Sequence, residues 1–181
     1  MRIILIAAVE DTGGIGWLGS LPWPNISADM KHFAKLTTEG VITHKCNYTI
    51  PNCETAVVMG RKTWDSIPHK FRPLPNRTNL VLTNSKKSIG TNYIHCRTLE
   101  SVISQCVNRG IDDLFVIGGE QIYNLFLNFT NVDFIYLTKI KGVYKCDRWF
   151  PQFNGTKISE SEPEIEDGIE YKFSTYEVGY E

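Results

Sequence analysis

Apolar and polar positions follow two regimes along this chain: short solid apolar runs, and longer stretches with a helical repeat. Residues 3–9 form an unbroken apolar run of strand length, the pattern of a strand covered on both faces. Residues 56–59, ending at Gly60, and residues 78–83, 114–117 and 134–140 read as further strands. Residues 28–37 instead repeat at about 100° per residue, with Ser27 as the expected N-cap. Residues 61–67 make a short helix stopped by Pro68, residues 99–107 a helix that ends before Gly110, and a further, amphipathic helix opens after Gly118-Gly119. Residues 169–178 alternate like a half-exposed strand. No helical pattern follows Pro151, so the C-terminal strands are expected to pair as an antiparallel hairpin. This order predicts an α/β fold: one domain over residues 1–181, with a predominantly parallel central sheet and helices on both faces.

Two glycine turns interrupt the pattern. The first, Gly14-Ile15-Gly16-Trp17-Leu18-Gly19, follows the first strand and spells G-x-G-x-x-G, and Glu39 stands about 20 residues beyond it, where a ribose-binding acid would be expected. However, Leu21-Pro22-Trp23-Pro24 comes next. Its prolines push Leu21 and Trp23 into extended geometry, so the helix that the fingerprint requires cannot start at Gly19. What remains is a glycine-punctuated loop entering an extended segment. The second turn, Gly118-Gly119, lies between a strand and a helix and is the better phosphate cradle, because glycine allows close backbone approach and the new helix offers free N–H groups. Arg61 and Lys62 open another helix, a placement that suits a bound anion or a solvated basic turn.

Asp29 falls on the apolar arc of its helix with Ile26, Met30, Phe33 and Leu36, while Lys31 and Lys35 lie opposite. A carboxylate among apolar neighbours is costly when ionised, and its pKa tends to rise. It suits a ligand with adjacent N–H donors or a proton relay; the alternative is an acid serving the helix dipole from solvent.

Composition narrows the class. The chain has 181 residues, 42% of them hydrophobic, and a formal net charge of -1, so nothing global attracts nucleic acid or an anionic membrane. The five cysteines, Cys46, Cys53, Cys96, Cys106 and Cys146, include no C-x-x-C pair and support neither a disulfide framework nor a metal site. No apolar run approaches the roughly 18 residues of a membrane span. N-x-S/T sites at Asn25, Asn47, Asn76, Asn128 and Asn154 carry little weight without a secretory leader, and a cytoplasmic protein is expected.

Five blocks in order, covering nearly the whole chain, together resemble the dihydrofolate reductase family. They are Gly14-Ile15-Gly16-x-x-Gly19-x-Leu21-Pro22-Trp23-Pro24; Asp29 with Phe33; Met59-Gly60-Arg61-Lys62-Thr63-Trp64-x-Ser66-Ile67-Pro68; Arg72-Pro73-Leu74; and Ile117-Gly118-Gly119-x-x-Ile122-Tyr123. The resemblance implies NADPH-dependent reduction of 7,8-dihydrofolate to 5,6,7,8-tetrahydrofolate, in one-carbon and thymidylate metabolism, by a cytoplasmic monomer that antifolates inhibit. It implies that Asp29 binds the pterin ring N3 and 2-amino group, with Thr138 as companion, while Leu21 and Trp23 shape the approach of the water that delivers the proton. It places Ile6, Ala7, Met30, Phe33, Ser66, Ile67, Phe71, Leu74, Ile117 and Tyr123 around the substrate and Arg77 on its glutamate carboxylate. For NADPH it implies Ala8, then Ile15, Gly16, Gly19 and Ser20 in the loop, and Arg61, Lys62 and Thr63. Thr83, Asn84, Ser85, Arg97 and Gly118, Gly119, Glu120, Gln121, Ile122 and Tyr123 complete that set. No metal is implied.

Several positions depart from the family pattern. Asn84 stands where many relatives carry an arginine near the 2′-phosphate, leaving that contact to Arg61, Thr83 and Arg97, with Lys86 or Lys87. Met30 replaces the usual phenylalanine or leucine, Phe71 stands where a polar residue is frequent, and the polar stretch 39–54 is longer than in many relatives. Two other classes stay open at this point. One is a catalytically silent folate-binding or RNA-contacting paralogue; the other is a pteridine-type reductase of riboflavin synthesis on the same fold.

Overall fold

The structure is a computed structural model that describes residues 1–41, 53–85 and 92–179. In chain order the elements are β1 (Arg2–Glu10), β2 (Gly14–Gly16), α1 (Ser27–Glu39), β3 (Thr55–Gly60), α2 (Arg61–Ser66), β4 (Thr78–Leu82), β5 (Ile94–Cys96), α3 (Leu99–Asn108), β6 (Asp113–Val116), α4 (Glu120–Phe129), β7 (Phe134–Ile140), β8 (Arg148–Trp149), β9 (Thr156–Glu160), β10 (Glu164–Glu166) and β11 (Ile169–Glu177). The strands expected from solid apolar runs are present. The expected C-terminal antiparallel hairpin is formed by β10 and β11, while the short strands β2, β5 and β8 carry no such run and were not expected.

The main sheet runs in the order β10-β11-β7-β1-β6-β3-β4-β5, with β9 paired to β11. From β7 to β5 every neighbour is parallel, while β9, β10 and β7 each pair antiparallel with β11. Alternation along each strand divides the core into two layers. Ile3, Leu5, Ala56, Val58, Leu114 and Val116 pack with Val102 and Phe126 of α3 and α4 on one face. On the other, Ile4, Ile6, Val57, Met59 and Phe115 pack with Phe33 and Leu36 of α1 and Trp64 of α2. Helices therefore cover both faces, which is why these strands read as continuous apolar runs rather than alternating ones.

Ser27 is not the N-cap. That position falls to Ile26, which makes no side-chain cap bond, and Ser27 is the first residue of α1. The capping groups come from elsewhere: the Glu166 carboxylate accepts the backbone N–H groups of Ser27 and Ala28. A second unexpected polar unit closes the far end of the sheet. Arg2 forks onto Asp113 with bonds of 2.6 and 2.8 Å, and Asp113, fully buried, also accepts the Val41 N–H at 2.9 Å.

Among the described residues no helix is long and apolar enough to cross a membrane. The expectations for Lys86, Lys87 and most of the 39–54 stretch fall outside the described residues.

Candidate active site

The glycine turns and the residues that follow β3, β4 and β6 gather at the C-terminal edge of the parallel strands, where ligands of open α/β sheets bind. Arg77, by contrast, immediately precedes β4 and stands at the N-terminal end of its strand. Gly60 ends β3 and Gly118-Gly119 follows β6, and the two turns touch: the Gly60 N–H donates to the Gly118 carbonyl at 2.8 Å. The Gly118-Gly119 peptide is cis, and Gly118 has φ +110°. A Cβ at Gly118 would stand 3.1 Å from the Tyr123 hydroxyl, and one at Gly60 would stand 3.1 Å from Ile122. Gly118 needs glycine for its positive φ, while a side chain at Gly60 would require Ile122 to yield by a few tenths of an ångström. Gly119 caps α4 with no side-chain hydrogen bond; the Ile122 N–H returns to the Gly119 carbonyl at 2.8 Å, which leaves the N–H groups of Glu120 and Gln121 as those the helix start offers to an outside acceptor. Thr63 lies beside them, its Oγ1 3.5 Å from where a Gly119 Cβ would be. Arg61 and Lys62 are exposed at the same end of the sheet, Arg61 in a loose pair with Asp65.

The loop after β1 is held more firmly than its composition suggested. Leu18 and Gly19, both with positive φ, make a tight turn that bonds Trp17 and Ser20 to each other, and β2 pairs antiparallel with β8. Gly13 and Gly16 carbonyls accept N–H groups of Phe150 and Asp147, both at 2.8 Å. Glu10, buried at the end of β1, accepts the Gly14 N–H at 2.6 Å and the Thr12 hydroxyl at 2.5 Å. Although burial opposes ionisation, these donors hold the Glu10 carboxyl below its ordinary pKa. Glu10 escaped sequence reading because one acid ending an apolar strand looks like solvent-facing punctuation.

Asp29 sits in the first turn of α1. Burial pushes its carboxyl above the ordinary aspartate range, and a hydrogen bond with the Thr138 side chain pulls it part of the way back. Thr138 is itself buried, on β7 opposite Ala8 of β1. The bond to Thr138 draws the half-buried Asp29 side chain toward β7. Trp23 is buried with Ile26, Ile140 and Tyr171 and meets Tyr144 edge-on, ring centroids 5.7 Å apart, so it forms a fixed wall. Leu21, by contrast, is 48% exposed.

Ile6, Phe33, Ile67, Leu74 and Ile117 share one apolar cluster on the α1 face. Ala7 and Ala8 pack at the edges of the other two clusters. Met30 and Phe71 are 47% and 53% exposed, so neither belongs to the core. Ser66 is exposed, with its hydroxyl donated to the Thr63 carbonyl. The Tyr123 hydroxyl is committed internally, donating to the Ile6 carbonyl at 2.8 Å, and burial holds the phenol above its ordinary pKa. Arg77 donates Nε to the Pro75 carbonyl and Nη1 to the Thr37 hydroxyl, and burial lowers its pKa.

The remaining candidates lie at the ends of β4 and β5. Thr83 accepts the Ser85 N–H at 3.1 Å, its own N–H donates to Cys96, and Asn84 and Arg97 are exposed. Ile15 is half-buried against the core, and Gly16 lies beside Arg148 in the β2–β8 pair. Gly19 and Ser20 are exposed, and Glu120, Gln121 and Ile122 form the first turn of α4.

Together these features set two touching glycine turns and the start of a helix at one edge of an α/β sheet, with an apolar cluster and a desolvated acid on the α1 side. Comparison with known proteins gives the family. The dihydrofolate reductase family model matches residues 47–178. Dihydrofolate reductase of Heliothis virescens is 34% identical over 188 residues, covering 97% of each chain. The Candida albicans enzyme of the same name is 39% identical over 140 residues, 76% of this chain and 67% of that one. A bifunctional dihydrofolate reductase-thymidylate synthase of Glycine max is 35% identical over 183 residues, of which this chain spans 33% of the length. The chain belongs to the dihydrofolate reductase family. It is an oxidoreductase that reduces dihydrofolate to tetrahydrofolate, works with a nicotinamide cofactor and binds antifolates.

Proposed function

We propose that the reductant is NADPH, that the substrate is 7,8-dihydrofolate, and that Asp29 organises the pterin while water delivers the proton. When bound, the cofactor supplies the hydride; the chain provides orientation, exclusion of water and electrostatics. The glycine cradle fits a diphosphate, since backbone N–H groups and the α4 N-terminus favour an anion where a Cβ would block approach. Gly118, Gly119, Glu120, Gln121, Ile122, Arg61, Lys62 and Thr63 would hold the cofactor there, with Thr83, Asn84, Ser85 and Arg97 toward the 2′-phosphate. Ala8, Ile15, Gly16, Gly19 and Ser20 would flank the nicotinamide.

The observation that carries the mechanism is Asp29, partly desolvated and bonded to Thr138. A desolvated carboxylate facing adjacent N–H donors forms charge-assisted bonds that are worth more than in water. Ionised Asp29 accepts from the pterin N3 and 2-amino groups, which raises the basicity of the ring nitrogen that is protonated. Trp23 and Leu21 confine the water that carries the proton. Ile6, Ala7, Met30, Phe33, Ser66, Ile67, Phe71, Leu74 and Ile117 enclose the pterin and benzoyl groups, and Arg77 forks onto the glutamate carboxylate. Tyr123 supports both sites through its bond to Ile6.

The same reading takes the chain as one folded unit acting as a cytoplasmic monomer in one-carbon and thymidylate metabolism. Buried free thiols at Cys96 and Cys106 are in keeping with a reducing compartment. Loss of NADPH absorbance on adding dihydrofolate, compared with NADH under the same conditions, tests the function. Bound ligand without turnover would overturn it.

A further inference from the structure

Asn79 lies on β4, only 4% exposed. Its Oδ1 accepts the Leu74 N–H at 2.9 Å, and its Nδ2 donates to the carbonyls of Leu74 at 2.9 Å and Arg77 at 3.0 Å. One side chain therefore fastens both ends of the 74–77 segment to a strand in the core. Such a segment needs fastening, since Asn76 turns it through the left-handed region at φ +58°.

Arg77 is placed from two sides. Its backbone carbonyl is held by Asn79, and its Nε returns to the Pro75 carbonyl at 2.8 Å within the same segment. Its Nη1 reaches across to Thr37, a fully buried residue of α1 whose hydroxyl donates to the Phe33 carbonyl at 2.7 Å. Neither of these bonds uses Nη2. A guanidinium this constrained has little freedom to follow a displaced anion, and bidentate recognition depends on its plane being fixed beforehand.

We propose that Asn79 is a positioning residue for substrate selection: by locking the 74–77 segment it fixes the guanidinium of Arg77, and so makes the enzyme favour pterins whose tail ends in a carboxylate. The proposal rests on the Arg77 clamp put forward above. Asn79 touches no substrate; it acts through the loop.

Steady-state kinetics on two substrates tests it: dihydrofolate, and a 7,8-dihydropterin lacking the aminobenzoyl-glutamate tail. Asn79→Asp keeps an acceptor for Leu74 but turns charge against two carbonyls, and Asn79→Ser removes the amide without adding charge. In both variants the ratio of kcat/KM for dihydrofolate to that for the tail-less pterin is expected to fall about tenfold, through KM for dihydrofolate. Arg77→Leu lowers the same ratio, and combining it with Asn79→Ser lowers the ratio no further. If Arg77→Leu lowers the ratio while both Asn79 variants impair the two substrates equally, or neither, Asn79 serves only the fold and the proposal fails. If Arg77→Leu leaves the ratio unchanged, the clamp falls, and the role of Asn79 with it.

Discussion

The Glu166 carboxylate accepts the backbone N–H of Ser27 at 2.6 Å across 139 positions of sequence, and that of Ala28 at 3.1 Å. The helix that carries Asp29 thus begins on the tip of the C-terminal hairpin, which supplies the negative charge its first turn favours.

Replacing that charge should give a pH-dependent loss of stability. The backbone N–H of Ser27, followed by the Ser27 side chain and the Ala28 N–H, holds Glu166 below its ordinary pKa. A carboxyl depressed in the folded state stabilises above its unfolded pKa, and that contribution is lost as pH falls through the folded value. The melting temperature of Glu166→Gln should therefore lie below that of the parent at neutral pH, and the gap should close below about pH 4. A gap constant with pH would show that the charge is not what matters.

Asp29→Asn should separate activity from stability. Turnover at neutral pH is expected to drop by about 10²- to 10⁴-fold, the range typical of acid–base groups, and to recover toward low pH as substrate arrives protonated. Burial raises the folded pKa of Asp29, so its favourable neutral form is lost as pH rises through that value. The ligand-free variant should accordingly melt higher than the parent at neutral pH and converge with it in acid. Equal activity at every pH would remove Asp29 from the mechanism.

At the opposite end of the sheet, Arg2→Ala leaves Asp113 buried without its cation. Breaking such a pair costs about 3 kcal/mol, to be read from urea denaturation. Replacing both partners by apolar residues should cost less than either single change. A loss confined to a few tenths of a kcal/mol would mean that the Val41 N–H suffices for Asp113.

Gly14→Ala tests the clasp between β2 and β8. The added Cβ would fall 2.3 Å from the Cys146 Sγ and 2.7 Å from a Glu10 oxygen, a clash that typically costs about 1–3 kcal/mol. Lower activity and a lower melting temperature are expected. Cys146→Gly should restore part of each, Glu10 remaining in the way. No rescue would place the damage in the Glu10 contact alone.

How far the chain was readable depends on where each residue finds its meaning. Residues 134–140 emerge as a strand with the bounds their apolar pattern marks, because burial on two faces leaves a local signature. Ser27 shows the limit: a serine before a helical repeat is a good local cap, yet a carboxylate far along the chain does the capping. Asp113 and Thr37 follow the same rule, since Arg2, Val41 and Arg77 reach them from distant segments; Glu10 and Asn79 bond within five residues of themselves, in turns whose shape the apolar pattern does not give. Within the site, Asp29 and the glycine turns stood out through their own chemistry. Thr138, Arg77 and the apolar walls did not, because a lone threonine or isoleucine in a strand looks like ordinary core, and only the family resemblance singled them out.

The position of β1 sets the order in which the molecule can be built. The first strand of the chain lies between β6 and β7, and Arg2 meets Asp113 only 111 positions later. As a nascent chain lengthens, Ile6, Ala7 and Ala8 stay without lateral neighbours until the second half has been made. The entropy of closing those long loops must be met before β1 can be enclosed and Ala8 set opposite Thr138, which predicts folding in milliseconds to seconds rather than microseconds. Fragments that end before β7 should keep helices but no reductase activity, so the first strand of the chain is among the last to be enclosed.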